Sequence, residues 1–166
     1  MRHVSWLLLL LGITMGLIGT AQAQNPSRIG IGVQMLGSTA GDNVGPGLRF
    51  RASTAVTQDV SLAVGSGITG FIFQGRDNAA FALDPQASVI VSLPATNNRT
   101  TYVFGGGGAY VPFGNTSTRS GPTFHLGIGQ ARLLRESSLF FEFNPGFLVG
   151  KETTTLVLPL RVGIIL

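Results

Sequence analysis

Along most of this chain apolar residues alternate with small or polar ones at a period of two, the mark of strands with two unlike faces. In 153–166, Leu156, Leu158, Leu160, Val162, Ile164 and Leu166 share one face. Thr155, Val157, Pro159, Arg161, Gly163 and Ile165 share the other. Over 138–150, Leu139, Phe141, Phe143, Pro145, Phe147 and Val149 oppose Phe140, Glu142, Asn144, Gly146, Leu148 and Gly150. Further upstream, Ile29, Ile31, Val33 and Met35 oppose Gly30, Gly32, Gln34 and Leu36. Likewise Val44, Leu48, Phe50, Ala52 and Val56 oppose Gly45, Gly47, Arg49, Arg51 and Ser53. No stretch shows an i, i+3, i+4, i+7 repeat, and nothing after the first 23 residues is apolar for long enough to be a transmembrane helix. Cutting at the turn-rich stretches predicts eight strands: 28–36, 44–56, 60–73, 80–94, 100–113, 121–134, 138–150 and 153–166. The breaks between them suit antiparallel neighbours, and eight strands are enough to close a barrel.

Composition decides which way such a barrel faces. Charged residues are 11% of the chain and Lys151 is the only lysine, whereas a water-exposed surface normally carries roughly a quarter to a third charged residues. The apolar face is nearly pure Leu, Val, Ile and Phe, and the opposite face is mostly Gly, Ser, Ala and Thr with a few charges. An inside-out arrangement fits: lipid takes the apolar face and the small, polar face fills a narrow lumen. The predicted strands, 9 to 15 residues long, reach the ~9–11 residues that cross a bilayer at a tilt. The fold class expected is therefore all-β, an eight-stranded antiparallel up-and-down transmembrane β-barrel. With 24 Gly in 166 residues, long helices are disfavoured. With no Cys there is no disulfide, thiolate metal site or Cys nucleophile. The net charge of +4 comes from singly scattered basic residues rather than a run, so nucleic acid is not an expected partner.

The first 23 residues read as a secretory signal peptide: basic Met1-Arg2-His3, an apolar run from Val4 to Ile18, and small residues ending at Ala21-Gln22-Ala23. Cleavage after Ala23 would leave a barrel domain of 24–166. A cleavable signal, eight alternating strands, short turns and a last strand 156–166 together resemble the small OmpA/OmpX-type outer-membrane β-barrel proteins. The resemblance is one of architecture over 24–166. Such barrels usually end in an aromatic residue, and here the final residue is Leu166. It implies residence in the bacterial outer membrane, contact with outer-membrane lipid and the outer-membrane assembly machinery, and a monomer without cofactor. An even strand count places both termini in the periplasm and the loops 37–43, 74–79, 114–120 and 151–152 outside.

Chemistry would have to sit on the inward face. The expected lumen polar network is Arg49, Arg51, Asp84, His125, Glu142 and Arg161, with Gln34, Gln86 and Asn144 adding polar groups. A two-residue turn at Lys151-Glu152 makes Glu142 and Arg161 direct cross-strand neighbours. A three-residue turn at 57–59 sets Arg49 against Gly67 and Arg51 against Gly65, where glycine leaves room for a long side chain. Such a network either gates a small pore or plugs the barrel; an eight-stranded interior is just filled by side chains, which favours the plug. His125 is the only His after the signal segment and has no His-x-x-x-His or His-x-Glu spacing, so no metal site is expected. Asp84 and Ser88 could meet it only through the fold. Gly65-Ser66-Gly67-Ile68-Thr69-Gly70 fits G-x-G-x-x-G, yet strand-like residues follow it where a nucleotide site needs a helix. Tyr102 and Tyr110 are expected as interface aromatic anchors, one at each edge of the apolar band, and Arg132 as an arginine reaching for headgroups. No catalytic residue is expected. The role expected is structural, membrane-stabilising or that of a weak pore. The alternative is a soluble periplasmic or secreted β-barrel with a small apolar ligand; a third is a lipid-modifying barrel enzyme centred on His125.

Overall fold

The computed structural model describes residues 27–39, 43–71, 80–94, 98–114, 120–150 and 154–166. The signal segment, the Lys151-Glu152 turn and most of the four loops assigned to the outside lie beyond the described residues. Ten strand segments follow in chain order: β1 (Arg28–Ser38), β2 (Asn43–Ala55), β3 (Val60–Phe71), β4 (Ala80–Leu83), β5 (Gln86–Ser92), β6 (Arg99–Gly114), β7 (Gly121–Leu133), β8 (Ser138–Phe143), β9 (Gly146–Val149) and β10 (Thr154–Ile165). All pairings are antiparallel, and β1 pairs with both β2 and β10, so the sheet closes on itself.

Two of the predicted strands, 80–94 and 138–150, are each interrupted. The interruptions fall at Asp84-Pro85 and Asn144-Pro145, because proline has no N–H to give the ladder. The register does not shift across them. Ile68 faces Leu83 on one side of the first break and Gly65 faces Gln86 on the other. Leu160 faces Phe143 and Val157 faces Gly146 around the second. Backbone bonds bridge both sites: the Asp84 N–H donates to the Gly67 carbonyl (3.0 Å) and the Pro85 carbonyl accepts from Ala109 (3.0 Å). The Asn144 N–H donates to Pro159 (3.0 Å), and Pro145 accepts from Leu126 (3.1 Å). The ten segments thus form eight staves of one ring.

One end of the ring holds the tight turns. Val56 donates to the Val60 carbonyl (2.8 Å) while the Thr57 hydroxyl accepts from the Val60 N–H (3.1 Å). Leu134 donates to Ser137 (2.8 Å). Asn98 takes φ 59°, a left-handed conformation that Asn tolerates better than most residues. Ile29 and Leu166 exchange backbone hydrogen bonds of 3.3 and 2.8 Å at this same end, here called the terminus end.

The side chains sort as an inside-out barrel should. Leu160 is 58% exposed, Phe143 42% and Leu48 55%, while Arg161 and Glu142 on the same strands are each 5% exposed. Buried polar or charged residues include Gln34, Arg49, Thr69, Asp84, Thr123 and Asn144. Apolar core residues are fewer and gather near the ends of the barrel. This distribution decides against the soluble alternative, in which the Leu and Phe face would line the cavity.

Candidate functional site in the barrel interior

Alternation delivers the inward side chains of every stave to one axis, and there they form three zones. Nearest the terminus end, Ala63, Ile90, Tyr102 and Phe104 pack as a buried apolar cluster with Ala131 against it. Nearest the loops, Leu36 and Ala82 pack with Tyr110. Charged and amide groups occupy the space between.

The middle zone divides around two carboxylates. Asp84 Oδ2 accepts from Arg49 Nη1 (3.1 Å), and Arg49 Nη2 donates to Gln86 Oε1 (2.8 Å). Glu142 Oε1 accepts from Arg51 Nη1 and from the Tyr102 hydroxyl, the latter at 2.8 Å. Glu142 Oε2 lies 3.8 Å from Arg161 Nη1. Arg161 Nη2 also donates to Gln86 Oε1 (3.2 Å), so Gln86 joins the two halves. With its oxygen turned toward the guanidinium, as the donors around it require, Asn144 accepts from Arg161 at 2.7 and 2.9 Å. Arg51 also lies over the Phe140 ring, 5.1 Å from its centroid. The pairs are buried, so each charge depends on its partner.

Register places Glu142 opposite Arg161, Arg49 opposite Gly67 and Arg51 opposite Gly65. The bonding differs in two ways from what register alone suggests. The guanidinium hydrogen-bonded to Glu142 is that of Arg51, across the lumen, while its cross-strand neighbour Arg161 stands farther off. At Gly67, a Cβ would collide with Asp84 Oδ1 and Gln34 Nε2. The space that glycine frees there serves the Asp84 and Gln34 side chains.

His125 also faces inward. Its Nε2 lies 2.9 Å from Ser88 Oγ, and its ring is 6.2 Å from Phe104. Its Nδ1 has no partner among the described residues. Asp84, Thr123 and His125 line a cavity of about 20 Å³ together with Tyr110 and Asn144, room for about one water molecule. Among the described residues no three His, Asp or Glu side chains gather as a metal site would require.

The tyrosines are the clear correction. Tyr102 and Tyr110 do not stand at the membrane interfaces: both project into the barrel. Tyr102 is 4% exposed and bonded to Glu142. Its ring fills the space beside Gly129, its register partner, where a Cβ would strike it. Tyr110 packs against the Leu36–Ala82 pair. The outward aromatics are others: Phe81 and Phe113 stack at 5.8 Å, and Phe50 and Phe124 are exposed. Arg132 lies on the outward face, as expected.

No protein-family model and no curated protein sequence matches this chain. Solved structures do. Neisserial surface protein A aligns over 84% of this chain and 96% of its own, with TM-score 0.71 and 11% identity. Ail, the attachment invasion locus protein of Yersinia pestis, solved with the heparin analogue sucrose octasulfate, aligns over 87% and 100% with TM-score 0.57 and 14% identity. The outer membrane enzyme PagL aligns over 81% and 97% with TM-score 0.57 and 11% identity. The chain has the fold of these small eight-stranded outer-membrane β-barrels.

Proposed function

We propose that this protein is an integral outer-membrane β-barrel with a structural, membrane-stabilising role and a lumen packed shut. The observation that carries this reading is the reversed sidedness: exposed Leu, Ile, Val and Phe around the wall, and paired charges within. Only a lipid solvent makes that wall favourable. In this reading the signal segment is cut after Ala23, the termini face the periplasm, and the assembly machinery inserts a monomeric barrel. The pore version of the expectation finds less support. Ile90, Tyr102 and Phe104 pack into the lumen toward one end, Leu36 and Tyr110 toward the other, and ion pairs lie between. Single-channel recording on detergent-refolded protein tests the reading. A silent bilayer is the expected result; sustained unit conductance steps would replace the plug with a pore.

A second reading, a lipid-modifying enzyme, draws on the 2.9 Å Ser88–His125 contact and on the shared fold with PagL. A nucleophile and its base need an orienting third group. No carboxylate among the described residues bonds His125 Nδ1, and Asp84 is held by Arg49. His125→Ala should therefore leave the lipid A profile, read by mass spectrometry, unchanged; a lost modification would favour the enzyme.

A further inference from the structure

On the outward face of the described strands, charge occurs only where β6 meets β7 at the terminus end. Among the described strand residues, Arg99 and Arg132 are the charged side chains on that face, and both are exposed. They are direct register partners across β6 and β7. Like charges so placed repel each other and destabilise the sheet. No carboxylate among the described residues forms an ion pair with either one. The next pair along the ladder is also polar, Thr101 opposite Gln130, and the pair after that is Val103 opposite Ile128.

These residues border a polar pocket of about 590 Å³, with Asn98 at its edge. Thr101 and Gln130 also border a second groove, of about 1030 Å³, which runs over Ile128, Phe141, Phe143 and Leu160. A cationic pocket at the membrane edge thus passes directly into an apolar groove along the lipid-facing wall. That sequence of surfaces matches one molecule with an anionic head and a hydrocarbon tail.

We infer that Arg99 and Arg132 together bind the phosphate of an anionic glycerophospholipid in the leaflet at the terminus end, with an acyl chain lying in the groove over Ile128 and Phe141. Guanidinium groups pair with phosphate oxygens in a forked geometry, and the shared anion removes the repulsion between the two arginines. The inference rests on the membrane-barrel reading.

Native mass spectrometry of detergent-folded protein tests it, with phosphatidylglycerol as the probe. Wild-type protein should retain one phosphatidylglycerol, and R99Q/R132Q should bind it about tenfold more weakly or worse. R135Q, which removes an exposed arginine from the neighbouring turn, should bind as wild type does. Diacylglycerol with the same chains should be retained poorly, and excess glycerol 3-phosphate should not displace the lipid. Equal retention by wild type and R99Q/R132Q overturns the inference, as does an equal loss in R135Q, which would mark diffuse charge attraction. Retention of diacylglycerol would reduce the site to a greasy groove, and displacement by glycerol 3-phosphate would reduce it to a free-anion site; each overturns the inference. If R99Q/R132Q fails to fold, judged by heat-modifiable gel migration, the wild-type contrast between phosphatidylglycerol and diacylglycerol decides. Protein that stays soluble without detergent overturns the membrane reading itself, and the lipid site with it.

Discussion

Asp84-Pro85 and Asn144-Pro145 are the same backbone device used twice. In each, an Asx residue points its side chain inward to an arginine, and a proline ends the local ladder without moving the register. Their side chains differ by one charge. Arg49 has Asp84 as its bonded carboxylate and otherwise only the Gln86 amide. Arg161 has Glu142 at 3.8 Å and, beside the Gln86 amide, a neutral Asn144 oxygen as acceptor. The choice between acid and amide at each crossing thus tracks whether another carboxylate already serves the nearby guanidinium. Among the described residues the buried network sets Arg49, Arg51 and Arg161 against Asp84 and Glu142, a surplus of one positive charge whose donors also reach the neutral oxygens of Gln86 and Asn144.

Three substitutions press on this contrast. Glu142→Gln should have the largest effect, because it strips the carboxylate from Arg51 and from Arg161 together. A loss of about 3–5 kcal/mol is expected, read from the urea midpoint of refolded protein by circular dichroism. A loss under about 1 kcal/mol would mean that the Asn144 side does not lean on Glu142. Asp84→Asn makes the two crossings alike. It removes the carboxylate of Arg49 but keeps an oxygen and the Gln86 bond, so about 1.5–3 kcal/mol should go in the same assay. Asn144→Asp makes them alike in the opposite sense. The added carboxylate gains attraction from Arg161 and loses hydration on burial, and the two nearly cancel. A change below about 1 kcal/mol in either direction is expected, and a large loss would show that Arg161 is already neutralised in full.

The fold was largely legible because alternation needs no distant information. Each strand states its own two faces, and short turns state which strands are neighbours. Where a turn length was readable, register followed: the 57–59 turn set Arg49 against Gly67. The two broken staves were legible in principle, since Asp84-Pro85 and Asn144-Pro145 stand in the sequence, but a proline does not announce whether it ends a strand or merely interrupts one. Pro159 sits inside an unbroken β10.

The tyrosines failed for a physical reason. The run Gly105 to Gly108 has the same side chain on both faces, so β6 carries almost no signal about its own sidedness. The pairing of Gly106 with His125 resolves it, since His125 and Glu142 point inward on the neighbouring staves. Bonds across the axis, such as Arg51 to Glu142, were beyond reach because they depend on how far the staves stagger around the ring. No single hairpin contains that quantity.

The pairing of β1 with β10 has a kinetic side. It joins Gly30 to Ile165, partners separated by almost the whole described chain, and loop-closure entropy makes this contact the slowest to find by diffusion. Until it zips, a half-made sheet shows two raw borders of unpaired amides and carbonyls, each able to recruit a stray chain. Weakening this seam by a proline at Val162 should therefore raise misassembly during folding before it measurably loosens the finished ring.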